Sequence, residues 1–229
     1  MGASWLQQVG VFDLETTGVD VETARIVSAH VGVLDDDGNV VEQLEWLADP
    51  GVEIPEGAAQ VHGITTERAR AEGRAAAEVV AEIIDALRGL FARGVPVTVY
   101  NAPYDFTVLD REARRHGIEP LAITGTVIDP LVIDKQVDRY RKGKRTLEAA
   151  SAVYGIELLR AHDAGSDAIA AGRVALAIIR AHAALLPADP AELHRSQAMW
   201  SSEQAANFQA YMRRVRDPEF VARGSWPSY

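Results

Sequence analysis

The sequence contains no cysteine among its 229 residues. That absence excludes a disulfide framework and a thiolate zinc site, and it fits a reducing cytoplasm. Positive charge is also scarce: 23 Lys and Arg stand against 33 Asp and Glu, a net charge of −10. Such a balance argues against a protein that coats nucleic acid, because those carry a basic face. No apolar run is long enough to span a bilayer. The opening Met1-Gly2-Ala3-Ser4-Trp5-Leu6 lacks the basic and apolar regions of a secretory signal, and Leu6 stands where myristoylation needs Ser or Thr. A soluble, cytoplasmic protein without a membrane partner is therefore expected. Repeats and low-complexity segments are missing too. So is a P-loop, since "GKR" at 143–145 lacks both the upstream glycine and a Ser or Thr after the lysine.

What is present suffices for a sizeable core, as 48% of residues are apolar. Residues 8–14, 25–34 and 40–48 read as strands, the last two joined by the turn signal "DDDGN". The stretch "DPGVEIPEGAAQVHGIT" (49–65) reads as loop. Val79, Val80, Ile83, Ile84, Leu87 and Leu90 recur at helical spacing and predict a helix over 75–92. A strand at 95–102 and a helix at 103–116 follow, the helix ended by Gly117. A fifth strand is expected at 123–128, with Asp129 and Pro130 opening the next helix. Further helices are predicted near 146–154, 164–185 and 190–215. The pattern implies an α/β fold, a central mixed five-stranded sheet flanked by helices, with a C-terminal helical appendage. Residues 1–186 form the expected main domain and 187–229 the extension, with Trp200, Phe208, Tyr211 and Trp226 available to dock it.

Several carboxylates stand where apolar residues are expected. In "VFDLETTG" (11–18), Asp13 and Glu15 share one strand face. Asp105 heads the apolar stripe of the 103–116 helix with Val108, Leu109 and Glu112, and Asp167 heads that of the next long helix with Ala171, Val174 and Ile178. Each alone is ordinary for an N-cap or a strand end. Together, at element ends where an α/β sheet builds its crevice, four acids suit a hard divalent cation bound by oxygen alone. His162 lies five residues before Asp167 and is a candidate general base, imidazole being suited to proton transfer near neutral pH. Sites with two such cations commonly catalyse attack on a phosphodiester. In that setting "RYRKGKR" (139–145), five cations in seven residues, reads as a phosphate-contacting edge, although most charge runs are merely solvated.

"DLETTG" at 13–18, "YNAPYDF" at 100–106 and "HDAGSD" at 162–167 resemble the three motifs of the DnaQ-like, or DEDDh, 3'-5' exonucleases, which include the proofreading epsilon subunit of bacterial DNA polymerase III. "VHGIT" (61–65) and "GKRTLEAASAVYGI" (143–156) are similar to signatures between those motifs, so the likeness runs from residue 7 to about 185. The tyrosine subclass would need Tyr where Asp163 stands. The resemblance implies a ribonuclease H-like fold and two Mg²⁺ or Mn²⁺ ions held by Asp13, Glu15, Asp105 and Asp167. It further implies that His162 takes a proton from the attacking water. Leu14, Thr16 and Thr17 would line the 3'-terminal nucleotide; His62 and Asn101 are further candidates for substrate contact, with a structural turn histidine and a strand-end asparagine as the alternative readings. Asp129 and Asp163 read as helix-start acids. The implied activity is hydrolysis at 3' ends, single-stranded or frayed, releasing nucleoside 5'-monophosphates, with DNA favoured. RNA, as in ribonuclease T or oligoribonuclease, is the alternative substrate, and a non-catalytic polymerase-associated module the alternative class. A DNA polymerase subunit is the implied protein partner. One departure concerns Ser28, Ala29 and His30, in a strand where the family often carries an acidic residue; it bears on substrate preference rather than chemistry.

Overall fold

The computed structural model describes residues 7–158 and 162–229; the opening hexapeptide read for targeting signals lies outside the described residues. Three strands, β1 (Gln8–Thr16), β2 (Ile26–Asp35) and β3 (Val40–Asp49), form an antiparallel meander. The β2–β3 turn is closed by Asp35, whose carboxylate accepts the N–H groups of Asp37 and Asn39, with Gly38 at φ 83° supplying the left-handed residue. Downstream, β5 (Val97–Thr98) pairs parallel with β1, and β6 (Val127–Ile128) pairs parallel with β5. The five expected strands are joined by a two-residue edge strand, β4 (Arg74–Ala75), parallel to the end of β3. The order across the sheet is β4-β3-β2-β1-β5-β6.

The region read as loop after β3 holds two short helices, α1 (Glu56–His62) and α2 (Thr66–Glu72). Each has seven residues, too few to display a period. Gly63 at φ 73° ends the first, and the Thr65 hydroxyl, accepting the Arg68 N–H, begins the second. The remaining helices are α3 (Ala76–Ala92), α4 (Ala102–Arg115), α5 (Pro130–Val137), α6 (Leu147–Tyr154), α7 (Ala164–Ala181) and α8 (Pro190–Val215), with a 3₁₀ turn at Ala183–Leu185 closing the segment expected as helix to 185. No helix among the described residues is long and apolar enough to cross a membrane.

Strand alternation divides the core. Phe12 and Leu14 of β1 pack with α3 and α4 residues such as Ile83, Leu87 and Leu109. Val9 and Val11 face the other way, onto Ala168, Val174 and Ile178 of α7. Helix α8 docks through fully buried Leu193 and Gln197, and Trp200 packs against the second cluster. Trp226 packs against the first cluster. Phe208 and Tyr211 remain half-exposed, Phe208 meeting Phe220 edge-on.

Candidate active site

The alternation that buries Val9 and Val11 carries Asp13 and Glu15 along the same face, toward the first turn of α7, where Asp167 sits. Oxygens of these three carboxylates lie within 4.8 Å of one another. Asp105, buried in the first turn of α4, approaches from the opposite side of β1 and accepts the Leu14 N–H on Oδ1 at 3.1 Å. It stands outside the 4.8 Å group but beside it: after burial itself, the Asp105 charge is the largest influence holding the Asp13 carboxyl well above its ordinary range. Asp105 is also pushed up, chiefly by burial. Burial, with Asp167 and Asp163 adding, pushes Glu15 up to about 7. Asp167 is raised by burial as well, and its Oδ1 is buried without a hydrogen-bond partner. Four crowded carboxylates, one with an orphaned oxygen, fit a hard cation that accepts oxygen ligands.

His162 precedes α7 in a left-handed conformation, φ 65°, and its N–H donates to Asp167 Oδ2 at 3.1 Å. Asp163 caps α7 by accepting the Ser166 N–H at 3.0 Å, as expected of a helix-start acid. A cleft of about 330 Å³ opens beside the carboxylates, lined by Glu15, Ser28, Trp46, His62, Arg68 and His162. His62 is held by the Ile64 N–H, donated to its Nδ1 at 3.1 Å, and burial lowers its pKa, with His162 contributing. The Ser28–Ala29–His30 stretch reaches this region: Ser28 and Ala29 line the cleft, and fully buried His30 lies against Gly165 with Nδ1 3.3 Å from Glu45. Trp46 and Arg68 carried no motif in the sequence, because only the folding of β3 and α2 brings them to this wall.

The other substrate candidates are placed differently. Leu14 points its side chain into the core and its N–H at Asp105, so it links two motifs rather than lining the cleft. The Thr16 hydroxyl meets Tyr104 and the Gly18 carbonyl, and the Thr17 hydroxyl accepts the Arg25 N–H at 3.0 Å. Both threonines therefore shape the turn after β1 with their side chains, and Tyr104, not singled out from the sequence, ties that turn to α4. Asn101 is exposed at the entry to α4 in a left-handed conformation, φ 65°. Asp129 is the N-cap of α5. Within 139–145, Arg145 reaches the buried Asp134 at 2.7 Å and Arg141 bonds the same oxygen. The phosphate-edge expectation thus fails for these two arginines, whose charge neutralises an interior carboxylate; Lys142 and Lys144 are exposed.

The family model described as Exonuclease, of the ribonuclease T group, matches residues 11–175. The chain belongs to this exonuclease family, in its DnaQ-like branch. It is 28% identical over 168 residues to the PolC-type DNA polymerase III of Lacticaseibacillus paracasei, covering 73% of this chain and 11% of that one. The PolC-type polymerase of Streptococcus thermophilus is 27% identical over 171 residues, covering 74% and 11%. Among solved structures, E. coli exonuclease I in complex with a dA16 oligonucleotide is similar with a TM-score of 0.66 and 23% identity, over 78% of this chain and 42% of that one. Exonuclease I from Methylocaldum szegediense gives 0.63 and 22%, over 77% and 41%. The chain thus spans about a tenth of the polymerases and about two-fifths of the exonuclease I chains. These structural likenesses establish the ribonuclease H-like fold.

Proposed function

We propose that this protein is a metal-dependent 3'-5' exonuclease that hydrolyses phosphodiester bonds at DNA 3' ends and releases nucleoside 5'-monophosphates, in proofreading or repair. The observation that carries this reading is the convergence of Asp13, Glu15 and Asp167 within 4.8 Å, with His162 fastened to Asp167. Asp13, Glu15 and Asp167 would hold one ion, and Asp105 with Asp13 a second. Two Mg²⁺ or Mn²⁺ ions, when bound, supply Lewis acidity at the attacking and leaving oxygens. The imidazole of His162 takes the proton from the attacking water. Asp167 accepts the backbone N–H of His162, which ties the main chain of the base to a ligand of the cluster. The 330 Å³ cleft, with His62 in its lining, takes the strand end; the terminal nucleotide reaches from there toward Leu14, Thr16, Thr17 and Asn101, which lie outside that lining.

DNA is favoured because the similar proteins are DNA polymerases and an exonuclease seen with a DNA oligonucleotide. The polymerase relatives also support a DNA polymerase as partner. Residues 1–186 act as the exonuclease domain and 187–229 as its helical extension. The test incubates the purified chain with matched 5'-labelled DNA and RNA oligonucleotides, single-stranded and mismatched-duplex, with Mg²⁺, Mn²⁺ or chelator. The expected result is stepwise shortening of DNA from the 3' end, dependent on the cation and abolished by Asp13→Ala. Hydrolysis undiminished by excess chelator overturns the mechanism, and faster loss of RNA reassigns the substrate.

A further inference from the structure

A fully buried carboxylate outside the acidic cluster gathers four donors. Asp129 accepts the N–H of Asn101 at 3.1 Å and of Leu131 at 3.0 Å on Oδ1, and the N–H of Ala102 at 3.0 Å and the indole N–H of Trp226 at 3.3 Å on Oδ2. A helix-start acid needs only the Leu131 bond. The other three come from the entry to α4 and from the segment after α8. With every one of its close donors a neutral N–H, the carboxylate is a fastening point rather than a cation ligand.

The fastening is reinforced from α8. Gln197 accepts the Asp129 N–H at 2.6 Å and donates to the Val127 carbonyl at 3.0 Å. His194 accepts the Val127 N–H at 3.0 Å, and its ring lies 4.8 Å from that of Trp226. Beyond Trp226, the Tyr229 N–H donates to the Thr107 hydroxyl at 2.9 Å. Segment 217–229 therefore grips α4 on both sides of Asp105: through Asp129 at the turn before it, and at Thr107 two residues after it. The turn needs such a grip. Asn101 holds φ 65° and ψ 48°, which a residue with a Cβ adopts only at a cost, and no side-chain cap closes the helix there.

We infer that Asp129 and Trp226 are positioning residues for Asp105, and that the segment after α8 serves the active site of its own chain by fixing the first turn of α4. This rests on the proposed reading of Asp105 as a cation ligand. A ligand held by a braced turn presents its free oxygen with little reorganisation, and loss of the brace weakens the ion it holds before it unfolds the helix.

The test compares the full chain with Trp226→Phe, which keeps a ring against His194 but removes the donor, and with Thr107→Val, which removes the acceptor for Tyr229. Mn²⁺ binding is titrated without nucleic acid by the electron-spin signal of the free ion, beside kcat, KM and melting temperature. The expected result is Mn²⁺ affinity and kcat both lowered by roughly 10-fold, with KM and the melt little changed. Folded variants with wild-type Mn²⁺ affinity overturn the inference, as does a kcat loss that tracks only the loss of folded protein. If the wild type binds Mn²⁺ but hydrolyses nothing, the nuclease reading fails, while the Mn²⁺ titration still decides the positioning role.

Discussion

The backbone N–H of His162 donates to Asp167 Oδ2 at 3.1 Å, so the proposed base and a proposed ligand belong to one turn. Their roles nevertheless separate on mutation. His162→Ala keeps the backbone bond and should lower the hydrolysis rate by about 10²-fold, the scale of a lost general base, with Mn²⁺ binding retained. Asp167→Ala should lose both activity and one ion. Single-turnover rates beside Mn²⁺ titration check the split. A His162→Ala enzyme with wild-type rates would remove the base assignment.

The crowded carboxylates predict how the cation-free protein responds to pH. Glu15 is pushed from its ordinary 4.5 up to about 7, and Asp13 and Asp105 shift in the same direction. A carboxyl whose folded value lies above its unfolded value contributes stability that is fully present below the unfolded value and is lost as pH rises through the folded one. In chelator, the melting temperature should therefore fall between pH 5.5 and pH 8, on the order of several degrees. Mg²⁺ at pH 8 should restore it, and Asp13→Asn should flatten the slope. Thermal melts across that range decide the matter, and a wild-type slope no steeper than that of Asp13→Asn would contradict the prediction.

The acidic cluster was legible because it violates patterns the rest of the chain obeys. Asp13 and Glu15 interrupt a face begun by Val9 and Val11, and Asp105 and Asp167 interrupt helical stripes, so periodicity alone exposes them. The long helices α3, α7 and α8 announce themselves in the same way. By contrast, α1 and α2 are two turns each and rest on local caps at Gly63 and Thr65, while β4 is two residues recruited by the end of β3. The inward turn of Arg141 and Arg145 depends on Asp134 being buried, and the Asp129–Trp226 bond joins positions 97 apart in sequence. Such contacts exist only once the chain has closed, and no local spacing carries them.

Close packing of α7 against the sheet gives a prediction about a glycine. A Cβ on Gly172 would lie 2.5 Å from Val11 Cγ1 and 2.6 Å from Leu34 Cδ1, so Gly172→Ala must push the helix outward. The expected cost is about 1–3 kcal/mol, with activity falling further than stability because Asp167 rides on the same helix. Gly89→Ala in α3 is the control: open space surrounds its Cβ, and the helix should gain about 0.5–1 kcal/mol. Urea unfolding of both variants checks the opposite signs, and a neutral Gly172→Ala would mean that α7 is free to slide.

Glu112, the other acid on the α4 stripe, belongs to stability rather than chemistry. Its side chain is fully buried and accepts Arg25 Nε at 2.7 Å, Arg115 Nη1 at 2.9 Å and the Ile26 N–H at 3.2 Å, tying α4 to the start of β2. Glu112→Ala leaves that N–H and two half-buried guanidiniums without their acceptor, at a cost of about 3 kcal/mol. Glu112→Gln keeps an acceptor for Ile26 and removes the charge, so it should cost less. Denaturant midpoints for the two variants should fall in that order, and Mn²⁺ binding by the folded fraction should remain. Lost Mn²⁺ affinity in a folded Glu112→Gln protein would instead place this carboxylate in the service of the active site.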